Sequence, residues 1–78
     1  MIKRTHQFTA LIEREEDGYV SLCPDLDIAS QGDTVEEART NLIEAIELFF
    51  GVADPSEIAH RLKSEVFITR LEVSTGQA

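Results

Sequence analysis

The feature that most constrains the fold is one long amphipathic helix in the middle of the chain. A capping box begins it: the Thr34 hydroxyl can accept from the backbone N–H of Glu37, whose carboxylate reaches back to the N–H of Thr34. Gly51 lies where a left-handed C-cap is expected. Between these two ends, apolar residues recur at helical spacing over about four turns. The stripe consists of Val35, Ala38, Leu42, Ala45, Ile46 and Phe49.

Apolar and polar residues alternate with period two before this helix, which predicts strands. The first strand covers residues 7–15, with Phe8, Ala10 and Ile12 on the face that we expect to be buried. Residues 16–18 form a polar break whose Asp-Gly step favours a hairpin. Residues 19–23 then continue as a second strand, antiparallel to the first because the connection is so short.

Pro24 ends the second strand, because proline cannot donate to a sheet ladder. Residues 24–27 are predicted to form a turn, and residues 28–31 a short third strand. The first three elements therefore form a small meander that leads directly into the long helix.

Two further elements are predicted after the long helix. Asp54 as N-cap and Pro55 as first helical residue begin a short helix. We expect Ile58, Ala59 and Leu62 to face inward from it. Residues 65–73 alternate again, which predicts a last strand paired inside the sheet.

These elements predict one α+β domain over residues 1–78, in β-β-β-α-(short α)-β order. The expected architecture is an antiparallel sheet with the main helix packed on one face. A chain of 78 residues has a marginal core. We therefore expect a homo-oligomer, dimer or tetramer, or a stabilising partner.

The net charge of −8, from 15 acidic and seven basic residues, bears on the partner. It argues against direct binding to nucleic acid, whose phosphates reward Lys and Arg. It favours a basic protein, because opposite potentials speed encounter. With one cysteine, no apolar leader and no apolar run of membrane length, we expect a cytoplasmic protein that does not contact the membrane.

Carboxylates are the abundant chemically active groups, and two interpretations compete for them. Asp25, Asp27 and Asp33 could hold Mg²⁺ or Ca²⁺, yet their spacing matches no calcium loop. Turn chemistry is the better explanation for Asp25 and Asp33, with Asp27 simply solvated. The two histidines and the cysteine show no metal spacing and no nucleophile–base arrangement. We expect no catalytic residue, no metal and no cofactor.

Several local motifs resemble the HicB family of antitoxins from prokaryotic type II toxin–antitoxin pairs. They are FTALIE at 8–13, GYVSLCPDL at 18–26, SQGDTVEEA at 30–38, NL at 41–42 and EAI at 44–46. The match runs from about residue 8 to residue 50, more than half of the chain. Residues 31–38 are its most specific part, because they combine a turn, a cap and a helix start.

The resemblance implies a degraded ribonuclease-H-like fold and a specific partner. That partner is HicA, a small basic toxin ribonuclease with a double-stranded-RNA-binding-like fold that cleaves mRNA. Family antitoxins occlude the toxin, and many also repress their operon through a C-terminal DNA-binding domain. Five residues follow Val73, so we expect no operator binding by this chain.

Candidate contacts with such a partner are exposed acidic residues and one leucine. Acidic residues of the long helix and of the hairpin could contact Lys and Arg of the toxin. A solvated face explains the helical residues equally well, and loop solubility is the favoured explanation for the hairpin residues. Leu48 lies off the apolar stripe, as a partner contact would. The candidates are Glu36, Glu44, Glu47, Leu48, Glu15, Glu16 and Asp17.

The leading hypothesis is an antitoxin without catalytic activity, which neutralises a HicA-like ribonuclease by covering its active surface. One alternative is an orphan regulatory module that associates with itself. A second is a metal-dependent nuclease of ribonuclease-H-like ancestry, which would require three clustered acidic residues facing inward.

Overall fold

The computed structural model describes residues 6–62 and 65–76. Its elements are β1 (Leu11–Glu15), β2 (Gly18–Cys23), β3 (Ile28–Gly32), α1 (Val35–Val52) and α2 (Pro55–Leu62). The strands form one antiparallel sheet in the order β1-β2-β3. The α+β class and the predicted order of the first five elements are confirmed.

The hairpin between β1 and β2 forms where the polar break predicted it, with Glu15 opposite Gly18. The left-handed residue of the turn is Glu16, with φ 54°, and not the glycine. The predicted first strand is too long, because β1 begins only at Leu11. The physical reason is that the Thr9 N–H donates to the Asp25 carboxylate at 3.1 Å, outside any ladder.

A tight turn joins β2 to β3 after Pro24. The Cys23 carbonyl accepts from the N–H of Leu26 at 3.2 Å and from that of Asp27 at 2.8 Å. Asp27 adopts φ 58°, a left-handed conformation that short polar residues tolerate. The turn folds the Leu26 side chain under the sheet, where it is fully buried.

Both ends of α1 differ in detail from the prediction. The Thr34 hydroxyl accepts from the Glu37 N–H at 3.0 Å, as expected, but the Glu37 carboxylate accepts from the N–H of Asp33 and not from that of Thr34. The predicted cap at Gly51 is wrong, because α1 continues to Val52 and Ala53 is its C-cap. Pro55 explains this end, since the residue before a proline disfavours the helical conformation.

The core lies between α1 and one face of β2 and β3. Its buried residues are Cys23, Leu26, Ala38 and Leu42, with Phe8, Ile28, Ile46 and Phe50 half-buried at its margin. Ser21 is also fully buried, and its hydroxyl donates to the Ala38 carbonyl at 2.8 Å. Val35, the first member of the predicted stripe, remains 47% exposed, so the helix begins outside the core.

The short helix α2 begins at Pro55 as predicted but packs loosely. Ile58 is half-buried, whereas Ala59 and Leu62 are exposed, so two of the three inward positions were wrong. Arg61 attaches this helix to the body: its guanidinium donates to the Leu26 carbonyl and lies 5.0 Å from the Phe49 ring centroid. The Arg61 side chain therefore attaches α2 to the body, in place of the apolar helix face that was expected.

The predicted last strand is wrong for the described chain. Residues 65–76 form no strand, and the sheet of the described residues has three strands. Phe67 is 84% exposed and Leu71 83%. A strand needs an edge and a covered face, and α1 lies over β2 and β3 and hardly touches β1. A strand added beside β1 would thus gain little cover from its own chain.

In the part of the chain that the structure describes, no helix is long and apolar enough to cross a membrane.

Candidate protein-binding surfaces

An open groove of about 980 Å³ lies between α1 and residues 6–10, which lead into β1. We call it the apolar groove. It is lined by His6, Gln7, Phe8, Thr9, Ala10, Arg39, Leu42, Ile43, Ile46, Glu47 and Phe50. Its floor is formed by half-buried apolar side chains, and its charged groups lie at the rim.

An aromatic cluster forms one end of the apolar groove. The ring of His6 stacks on those of Phe8 and Phe50 at centroid distances of 5.5 Å, and the two phenylalanines are 6.0 Å apart. Phe49 meets Phe50 edge to face at 5.6 Å. Such arrangements are favoured by the charge distribution of aromatic rings, and they hold residues 6–8 against α1.

The groove stays open because α1 packs close to β3 and away from β1. Gly32 makes this approach possible: a Cβ there would stand 2.5 Å from the Ala38 backbone nitrogen. Ser21 contributes a second small side chain under the same turn of helix. The flank of α1 that carries Ile43 and Phe50 therefore has no strand beneath it.

A second, shallower depression of about 510 Å³ lies at the hairpin end of the sheet, and we call it the acidic groove. Its carboxylates belong to Glu15, Glu16, Asp17 and Asp33. The register of β2 and β3 unites them, because Gly32 lies opposite Tyr19 and thus brings the end of β3 beside the hairpin.

No cation of the described residues forms an ion pair with these carboxylates. Among residues 6–62 and 65–76, the one ion pair joins Arg61 to Glu57 at 3.7 Å. Arg14, the cation nearest in sequence, lies over the Tyr19 ring at 5.6 Å and donates to the Glu16 backbone carbonyl. Like charges held close together without compensation favour a cationic partner.

The candidate residues from the sequence fall on two surfaces, the hairpin end of the sheet and the exposed side of α1. The hairpin residues Glu15, Glu16 and Asp17 lie together in the acidic groove. Glu47 lies on the rim of the apolar groove, and Glu36, three helical turns earlier, points to the same flank.

Glu44 and Leu48 lie one turn apart, on the part of α1 that adjoins Glu47 on the side away from the apolar groove. This flank faces β3, as the hydrogen bond from the Asn41 amide to the Gln31 carbonyl at 2.8 Å shows. Leu48 is 65% exposed, in agreement with its position off the stripe. Because Glu44 is also an i,i+3 neighbour of Glu47, these three residues share the exposed side of α1, and Glu36 lies three turns earlier.

Cys23 and Asp25 form a structural contact in the turn. The thiol is fully buried, and its S–H lies 3.8 Å from an Asp25 carboxylate oxygen that also accepts from the Thr9 N–H. Burial, together with the nearby Asp25 charge, raises the pKa of the Cys23 thiol. A neutral thiol without a neighbouring base is a poor nucleophile.

The described residues contain no group of three or more His, Cys, Asp or Glu side chains that could hold a metal ion. Asp25 is engaged in the turn and Asp27 is exposed with a left-handed backbone, as the turn interpretation of these residues predicts.

The sequence interpretation missed the apolar groove. Its signal was Ile43, an apolar residue on the otherwise polar side of the helix, together with Phe50, about four and a half turns after the Thr34 cap. Both residues fall on one flank of α1 and mark an apolar surface wider than a single stripe.

This arrangement defines a class: a small α+β protein with a three-stranded antiparallel sheet, two helices and two open grooves, one apolar and one acidic. Sequence relatives define the family. A UPF0150 protein of Helicobacter pylori is 39% identical over 66 residues, which are 83% of this chain and 92% of that protein. The chain therefore belongs to the UPF0150 family.

Two UPF0150 proteins of Synechocystis are also similar. One is 51% identical over 49 residues, 60% of this chain and 62% of that protein. The other is 48% identical over 44 residues, 54% of this chain and 61% of that protein. The matches thus span less than two thirds of these two relatives. No family model matches the chain, and no solved structure does.

Proposed function

We propose that this protein is a HicB-type antitoxin, which binds a basic, mRNA-cleaving toxin of HicA type and neutralises it in the cytoplasm. It acts by covering the active surface of the toxin and contributes no catalytic group. The degraded ribonuclease-H-like fold that the resemblance implies is part of this proposal. The β-β-β-α order of the first four elements is compatible with it.

The observation that carries the proposal is the acidic groove. Glu15, Glu16, Asp17 and Asp33 converge at one end of the sheet, and no cation of the described chain pairs with them. A ribonuclease that binds RNA presents Lys and Arg to phosphates. An acidic surface competes for the same side chains, so that the antitoxin covers the surface that RNA must reach.

Charge directs the encounter, and apolar contact prolongs the complex. Opposite potentials raise the association rate and reject acidic competitors, whereas burial of apolar side chains mainly lowers the dissociation rate. Glu47 lines the apolar groove and combines both kinds of contact, and Glu36 adds a charge to the same flank of α1 three helical turns earlier. The net charge of −8 extends this attraction over the whole molecule.

The test is a search beside this gene for a short basic open reading frame, co-expression of its product with this chain, size-exclusion chromatography and an mRNA-cleavage assay. Co-elution with suppressed cleavage supports the proposal. Separate elution with unchanged cleavage contradicts it for that pair. Cleavage of RNA by the purified chain alone, dependent on magnesium, would support the nuclease alternative.

A matched pair of variants distinguishes specific masking from general charge attraction. Glu15→Gln, Glu16→Gln and Asp17→Asn together remove three charges from the acidic groove. Glu57→Gln, Glu65→Gln and Glu72→Gln remove three charges elsewhere and give the same net charge. We expect the first set to weaken toxin binding strongly and the second set to weaken it only slightly.

A further inference from the structure

We propose that one flank of α1 docks an amphipathic, basic helix of the toxin. This flank lies beside β3, and we call it the β3 flank; its residues are Asn41, Ala45, Leu48 and Val52. The inference rests on the proposed function, because it names the surface and the kind of structural element through which the toxin is held.

The spacing of these residues is that of a helix–helix contact. They follow one another along α1 at intervals of four, three and four positions. Residues that recur about every 3.5 positions keep one line of a helix turned toward a neighbouring helix. Three of the four are apolar, and Asn41 lies at the end nearest the Thr34 cap. The β3 flank therefore has the pattern of a surface that receives a second helix.

The β3 flank is apolar and uncovered. Leu48 is 65% exposed and Val52 74%, whereas Ala45, one turn before Leu48, is half-buried. The described sheet does not continue beyond this flank, because β3 is the last strand in the order β1-β2-β3. A second helix therefore has room beside α1, and the small side chain of Ala45 lets it approach closely.

A helix suits this surface better than a strand. The Gln31 carbonyl of β3 already accepts from the Asn41 amide at 2.8 Å. Directly after β3, the Asp33 N–H donates to the Glu37 carboxylate at 2.6 Å. Backbone groups that are bonded in this way are not free to pair with another strand. Side-chain packing along α1 is then the contact that is left for a partner.

The charges beside the β3 flank select a basic partner. Glu37 lies one turn before Asn41 and Glu44 one turn before Leu48, on the solvent side of the apolar line. Both are exposed, and neither forms an ion pair with a described residue. The only Lys or Arg of α1 is Arg39, which lines the apolar groove on the other flank. Carboxylates in this position favour a helix with Lys or Arg next to its own apolar residues.

A second copy of this chain fits the same surface poorly, because its carboxylates would repel. An antiparallel pair that packs Leu48 of each copy on Ala45 of the other puts both Glu44 side chains on the solvent side, about 7.5 Å apart along the axis. A parallel pair brings them to the same level. In neither arrangement does Arg39 reach them from the other flank, and like charges so placed are destabilising.

Two double variants of the same chemistry test which surface makes the contact. Leu48→Gln with Val52→Gln makes the β3 flank polar without a change of charge. Leu71→Gln with Val73→Gln is the matched control, because these side chains are 83% and 71% exposed and lie outside any helix or strand. All four side chains are exposed, so the fold should persist, and circular dichroism verifies this.

The toxin in this assay is the basic protein whose co-expression tests the proposed function. We expect the dissociation constant of its complex to rise at least about tenfold for the β3-flank variant and less than about twofold for the control. If the native protein and both variants bind the toxin equally, the inference is wrong and the proposed function stands. If the native protein binds no toxin, the proposed function fails, and this inference fails with it.

Light scattering of the purified protein without toxin tests the competing occupant. If the native protein is a dimer that the β3-flank variant dissociates and the control variant does not, a second copy occupies this flank and the inference is wrong. A mass that is the same for the native protein and both variants supports a partner of different sequence.

Two synthetic peptides test the chemistry of the partner in the absence of the toxin. Both consist of three heptads with Leu at the a and d positions, and the e and g positions are Lys in one peptide and Glu in the other. In NMR spectra of the native protein, the Lys peptide should shift the amide signals of Ala45, Leu48 and Val52, and the Glu peptide should leave them in place. An unchanged spectrum, equal shifts with both peptides, or shifts confined to the acidic groove would contradict a basic helix on this flank.

Discussion

Gly32 on β3 and Ala38 on α1 are so close that a Cβ on the glycine would stand 2.5 Å from the alanine backbone nitrogen. The Glu37 carbonyl carbon, at 2.8 Å, blocks the same space. Both obstacles are backbone atoms at the start of a helix, so neither can rotate away. The position of α1 on the sheet, and hence the opening of the apolar groove, depends on this contact.

We therefore expect Gly32→Ala to destabilise the protein by about 1–3 kcal/mol, the usual cost of excess volume in a packed contact. Gly51→Ala is the matched control, because nothing lies within 4 Å of its added Cβ and it is a helical position. That substitution should stabilise by about 0.5–1 kcal/mol. Urea denaturation measures the free energy of unfolding of both variants. Equal changes in the same direction would contradict a close contact between Gly32 and α1.

Ser21 supports the same contact through a hydrogen bond to the Ala38 carbonyl at 2.8 Å. We expect Ser21→Ala to lower the free energy of unfolding by about 1 kcal/mol, the usual value for one such bond. Ser21→Val should cost more, because the site is fully buried and the added methyl groups press against α1. If the valine variant were the more stable of the two in urea, the contact would not be tight.

Local patterns predicted the elements that are determined locally. The hairpin, the turn after Pro24, the start of α1 at the Thr34 cap and the start of α2 at Pro55 all follow from short motifs. The close approach of Gly32 to Ala38 could not be predicted, because it depends on how a helix crosses a sheet. The same holds for the acidic groove, in which the β2–β3 register brings Asp33 to the hairpin.

Two of the wrong predictions have a common cause. In each case a residue distant in sequence makes a contact that the local pattern does not contain. The carboxylate of Asp25 takes the Thr9 N–H and shortens β1. Arg61, and not an apolar face, attaches α2. Alternation predicted a strand over residues 65–73, and this was wrong because alternation cannot show whether the rest of the sheet offers such a segment a pairing partner.

Arg61 gives a prediction on local stability. Its guanidinium combines a hydrogen bond to the Leu26 carbonyl with a position 5.0 Å from the Phe49 ring. We expect Arg61→Ala to increase hydrogen exchange throughout residues 55–62, with little change in β2 and β3, because α2 buries little else. Glu57→Gln is the control: its ion pair with Arg61 is exposed, and the effect should stay below about 0.5 kcal/mol.

Cys23 gives a prediction on pH. Burial raises the pKa of its thiol above the value in the unfolded chain, so the folded state disfavours the thiolate. The contribution of this residue to stability is complete below about pH 8.5, the ordinary thiol pKa, and is lost as the pH rises through the folded value. Urea denaturation should show a decline above that pH which Cys23→Ala lacks. A parallel decline in both proteins would assign it to other groups.

The acidic groove gives the prediction that bears most directly on function. Replacing Glu15, Glu16 and Asp17 by their amides removes charges that no described cation balances, so the folded protein should lose no stability and could gain some. Binding to a basic toxin should weaken mainly through a slower association rate, because rim charges steer the encounter.

Stopped-flow measurements at several ionic strengths check this. The association rate of the native protein should fall steeply with salt, because salt screens the attraction between the acidic groove and the toxin. The association rate of the triple variant should fall only shallowly, because its substitutions have already removed that attraction. The variant with Glu57, Glu65 and Glu72 replaced should keep the steep dependence at the same net charge. If both triple variants behaved alike, net charge alone would direct the encounter, and the hairpin carboxylates would have no special part in it.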